Sequence, residues 1–83
     1  MAVKSKEKID RTNESLHLLK QLLDIGFQET SQGYKDIKAV LDTWIADGSS
    51  WAGKLRLPEY GRMAHIMLPS KATATATLKL TAI

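Results

Sequence analysis

Apolar residues recur with a helical period from Ile9 to Trp44, then alternate with polar ones towards the end of the chain. The change falls near Gly48. Stepping seven residues at a time from Ile9 gives Leu16, Leu23, Thr30, Ile37 and Trp44, apolar everywhere except Thr30. The positions three further on are poorer, with Leu19 and Val40 their only apolar members. A sustained seven-residue repeat is the signature of a helix buried along one seam, as in a coiled coil. Leu22, Phe27, Tyr34, Leu41 and Ile45 widen that stripe. The pattern predicts an oligomer interface on Ile9, Leu16, Leu19, Leu23, Ile37, Val40 and Trp44. Glu7 and Arg11 stand at i,i+4 and should add slight local support to the helix.

A helical hairpin is the rival reading. Gly26 can serve as a C-cap, and Thr30 or Ser31 can cap a second helix, giving helices at about 5–25 and 31–47. Each Gly inside an unbroken helix would cost about 1 kcal/mol relative to Ala. The preserved phase favours a continuous or barely interrupted helix, because a hairpin would make it a coincidence. Gly48 ends the helical region in either case.

The second half predicts a three-stranded meander. In "KLRLP", Leu55 and Leu57 take one side and Lys54 and Arg56 the other. "RMAHIML" is apolar on both faces, as a central strand is. The last segment, residues 72–83, alternates Ala or Leu with Thr or Lys and reads as one long strand. It is longer than its seven-residue neighbour, so its edge at Thr73, Thr75, Thr77 and Lys79 should remain open to a strand from another copy. The expected fold is α+β: a long helix or helical hairpin followed by a small antiparallel meander. Its parts are a helical oligomerisation segment at 1–47, a linker at 48–53 and a β module at 54–83.

Length sharpens this picture. Eighty-three residues without a Cys form one small domain that disulfides cannot staple, so packing or association with a partner must stabilise it. The lack of Cys fits a reducing compartment. The first residues have no apolar stretch of a secretory signal, and no run approaches the roughly 20 residues of a membrane span. A soluble protein of the cytoplasm, or of a particle assembled there, is expected.

Charge is unevenly spread. Residues 1–8 carry +2, residues 9–50 carry −3 and residues 51–83 carry +4, which sum to the net +3. Such a dipole favours self-association or an anionic partner at the basic end. Lys54, Arg56 and Arg62 are the candidate anion contacts, although no helix-turn-helix, zinc-finger or RNA-recognition pattern accompanies them.

Catalytic signals are weak. "GSSWAGKL", residues 48–55, matches G-x-x-x-x-G-K-[ST] except at Leu55, but the order helix–loop–strand is the reverse of what a phosphate loop needs. The match reads as coincidence. Asn13-Glu14-Ser15 fits a glycosylation sequon inside a helix. His17 and His65 are far apart, and neither has further ligands at metal-binding spacing. His17 reads as a helix-surface residue, and His65 as a polar member of a sheet face beside Met63 and Met67. Trp44 and Trp51 flank a turn and are expected to clamp the helix end onto the sheet. The chain is therefore read as a non-enzymatic assembly protein, without cofactor or metal. It would form a homo-oligomer, for example a trimer, within a virion, fibre or secretion apparatus. The alternative is a small binding module whose basic sheet docks on nucleic acid or an acidic protein.

Overall fold

Helices commonly end on a residue with positive φ, and Gly26 supplies one at φ 109°. The computed structural model describes residues 2–71 and 73–83. It shows helix α1 (Ala2–Asp24) ending in a Schellman motif on this glycine. The Phe27 N–H donates to the Leu22 carbonyl at 2.9 Å, and the Gly26 N–H donates to the Leu23 carbonyl at 3.1 Å. Phe27 and Leu22 are both buried, which supplies the hydrophobic contact that accompanies the motif. Helix α2 (Gln32–Asp47) starts at Ser31, whose Oγ accepts the Tyr34 N–H at 3.2 Å and donates to the Gln28 carbonyl at 2.7 Å. It stops at Gly48, left-handed at φ 75°, whose N–H returns to the Trp44 carbonyl at 2.7 Å. The helices form a hairpin, so the continuous helix favoured by the heptad phase is not formed. Two well-made caps outweigh a periodicity that needs no backbone continuity.

Three antiparallel strands follow in the order β1–β2–β3. They are β1 (Trp51–Leu57), β2 (Arg62–Leu68) and β3 (Thr77–Ala82). Strand β1 begins earlier than expected. Trp51, Ala52 and Gly53 pair with Leu68, Met67 and Ile66, so the linker shrinks to 48–50. A 3-10 turn at Pro58–Tyr60 and a left-handed Gly61 join β1 to β2.

The last strand is shorter than its sequence suggests. Its pairing with β2 begins at Met67↔Thr77, so Thr73 and Thr75 lie in the preceding loop and are not strand residues. Ala72 lies outside the described residues. Two things end the pairing: Pro69 follows the end of β2, and long-range bonds hold the loop. The Trp44 indole Nε1–H donates to the Pro69 carbonyl at 3.0 Å, and the Ala76 N–H donates to Glu14 Oε1 at 3.1 Å. The loop runs to the helices instead of along the sheet.

Both helices lie on one side of the sheet. Helix α1 contacts α2, and α2 contacts β1. The core takes Leu18, Leu19 and Leu22 from α1 and Tyr34, Ile37, Leu41 and Trp44 from α2. Leu57, Ala64, Ile66 and Leu68 meet them from the sheet. One end is sealed by Phe27 stacked on Tyr60, with ring centroids 3.8 Å apart. Gly33 lets the first turn of α2 approach this end: a Cβ there would lie 3.0 Å from Leu57 Cδ2 and 3.3 Å from Phe27 Cε2. The other end is closed by polar contacts. Arg11 Nη2 and Nε donate to the Ile45 carbonyl at 3.0 and 3.3 Å, and the guanidinium lies over Gly48. Arg11 thus places a cation on the C-terminal end of α2, where carbonyls lack helical partners. Among the described residues it forms no ion pair with Glu7.

Candidate functional site

The fold divides the expected seam into two groups. Leu19, Ile37 and Trp44 lie in the core of this chain, and Val40 is half-buried against it. None of the first three is accessible to a second copy without unfolding. The physical reason is the hairpin, which turns the second half of the repeat inward onto the sheet. Ile9, Leu16 and Leu23 stay outside, with 59, 59 and 39% of their surface exposed. They repeat every seven residues along a flank of α1 that, among the described residues, no other element covers. The inward face of the same helix is carried by Ser15, Leu18, Leu19 and Leu22.

The sheet has a second uncovered surface. Antiparallel partners point to the same side, so the register defines the faces residue by residue. Ala52, Met67 and Thr77 form one cross-strand row, followed by Lys54, His65 and Lys79, then Arg56, Met63 and Thr81. This face turns away from the helices. Lys54, Arg56 and Lys79 are exposed, while His65 is half-buried with Nε2 3.1 Å from Thr81 Oγ1. His65 does lie beside Met63 and Met67. Arg62 does not join this group. Its register with Ala82 puts it on the helix-facing side, at the rim of an open groove of about 590 Å³. Leu78, Leu80, Leu22, Phe27 and Tyr60 line that groove, with Asp24 and Arg62 at its polar edge. The expected anion set of Lys54, Arg56 and Arg62 is therefore split between two faces, and Lys79 takes the third place on the outer one.

Both β1 and β3 are edge strands, so each keeps one side without a partner strand. Of the residues expected on the terminal edge, Thr77 and Lys79 belong to β3. Trp51 folds back over Gly53 of its own strand, where an added Cβ would lie 2.7 Å from the indole. Trp51 and Trp44 also line a shallow groove between the end of α2 and the start of β1. His17 lies exposed on α1.

Among the described residues, no three His, Cys, Asp or Glu side chains cluster as a metal site would require. No helix among them is long and apolar enough to cross a membrane. Sequence reasoning missed two contributors that position these surfaces, Glu14 and Arg11. Their partners are backbone groups 62 and 34 residues away, and backbone acceptors and donors leave no trace in residue identity. Comparison with family models, curated proteins and solved structures finds no match for this chain.

Proposed function

We propose that the chain is a non-enzymatic assembly protein that forms a homo-oligomer, working in the cytoplasm or in a particle assembled there. A single observation carries this reading: the exposed stripe Ile9, Leu16 and Leu23 on α1. Three large aliphatic side chains at seven-residue spacing form a strip of the kind that another helix covers. The strip is self-complementary. A two-fold axis through Leu16 would set Ile9 of each copy against Leu23 of the other, an isologous contact. The edges of β1 and β3 supply further places where copies in a virion, fibre or secretion apparatus would join.

The test is the solution mass by light scattering across a concentration series. The wild-type chain should exceed its 9.2 kDa monomer mass, and Leu16→Asp should return it to that mass with unchanged circular dichroism. Leu16 is exposed in the protomer, so the substitution leaves the core intact. A wild-type mass of 9.2 kDa throughout, or an oligomer indifferent to Leu16→Asp, refutes the reading.

A further inference from the structure

We infer that the outer face of the sheet docks the sugar–phosphate backbone of a nucleic-acid duplex. The inference concerns a different layer from the α1 stripe and does not rest on it. Nine side chains form this face, Ala52, Lys54, Arg56, Met63, His65, Met67, Thr77, Lys79 and Thr81, and none is acidic. Lys54, Arg56 and Lys79 are exposed. The one ion pair among the described residues is Lys38–Asp42 on α2, so no carboxylate neutralises these three cations.

Their spacing makes a grid. Lys54 and Lys79 flank His65 in one row, so their backbones are separated by two strand intervals, about 10 Å. Arg56 stands two residues along β1 from Lys54, about 7 Å away on the same face. A duplex offers one negative charge per ~1.7 Å of axis, a density that meets all three cations at once. The Thr77 hydroxyl can donate to a further phosphate oxygen at the rim. No Phe, Tyr or Trp lies on this face and its one ring, the His65 imidazole, is half-buried, so it lacks the broad stacking platform that unpaired bases need. That favours a duplex backbone over a single strand. A second copy fits less well, because the helical layer mixes signs: Lys38 is already bonded to Asp42, and Lys35 and Lys20 are interspersed with the acids.

Three phosphate contacts imply weak binding without base specificity and a log K against log salt slope of about −2.7. Affinity should therefore fall about 40-fold between roughly 50 and 200 mM NaCl. The experiment is a fluorescence-anisotropy titration of a labelled 20-base-pair DNA duplex at several salt concentrations within that range. Lys54→Ala and Lys79→Ala should each reduce the slope by about 0.9, and Arg62→Ala, on the other face, should leave it unchanged. Circular dichroism of each variant checks that the sheet persists. Repeating the titration with Leu16→Asp separates the two surfaces, since the slope per chain should survive loss of the helical contact. Absence of binding near 50 mM salt overturns the inference. A slope that ignores Lys54 and Lys79 also overturns it, as does displacement of the duplex by equimolar polyglutamate. Self-association that Lys79→Ala abolishes would assign the face to a second copy and overturn it equally.

Discussion

Ser15→Ala should make this protein more stable. Ser15 is 2% exposed, and its Oγ has no hydrogen-bond partner among the described residues. A hydroxyl taken out of water without a partner costs about 1–3 kcal/mol. Serine in a helix interior is also a weaker helix former than alanine, by about 0.5 kcal/mol. Against these gains stands the loss of one atom's packing, which a methylene-sized deletion bounds at about 0.8 kcal/mol. The balance is a gain of about 1–3 kcal/mol. For a domain of this size each kcal/mol corresponds to a rise of about 4–8 °C in Tm. Urea unfolding followed by circular dichroism and by the fluorescence of buried Trp44 gives the free energy, with the slope m as a check that both states are unchanged. Ser15→Gly serves as a control, because it removes the same hydroxyl but carries a helix penalty of about 1 kcal/mol relative to alanine. A neutral or destabilised Ser15→Ala would refute the reasoning. It would mean that the hydroxyl is bonded, either to the carbonyl one turn earlier or to a buried water.

Trp44→Phe keeps most of the ring but leaves the Pro69 carbonyl without its donor, and should cost about 1–3 kcal/mol by urea denaturation. Gly33→Ala gains up to about 1 kcal/mol in helix propensity but drives a methyl into Leu57 and Phe27. Overpacking of about 1–3 kcal/mol should win, giving a lower Tm by calorimetry; a higher Tm would show that Leu57 can move aside.

Much of the fold can be read from the residues. Gly26, Ser31 and Gly48 each sit at a helix end where their backbone or side-chain chemistry is needed; the sequence marks Gly48 as a stop, offers Gly26 as a cap only in the rival hairpin, and leaves the second N-cap open between Thr30 and Ser31. The alternation in "KLRLP" marks a strand, and the doubly apolar "RMAHIML" identifies the central one correctly. The seven-residue repeat is harder, because periodicity reports which side of a helix is apolar and not what covers it. Ile37 and Leu16 belong to one series, yet one is buried in the core and the other exposed. The Thr and Ala alternation at 73–76 misleads for a related reason. Strand propensity there has no partner to pair with once β2 has ended, and Glu14 captures the Ala76 N–H. The outer face also depends on register. Lys54 and Lys79 are 25 residues apart, and only the pairing of both with His65 shows that they are neighbours.

The order of elements along the chain has a consequence for synthesis. Both helices precede every strand, so Leu22, Ile37 and Leu41 are made before Leu57, Ile66 and Leu68, which cover them. At about 5–20 residues per second, the stretch from the end of α2 to the end of β3 takes roughly 2–7 s to translate. A hairpin of strands then closes in about 1–10 μs. Translation, and not strand pairing, therefore sets the time for which the nascent helices lack their sheet. During those seconds the apolar sides of the helical pair face water or a neighbouring nascent chain.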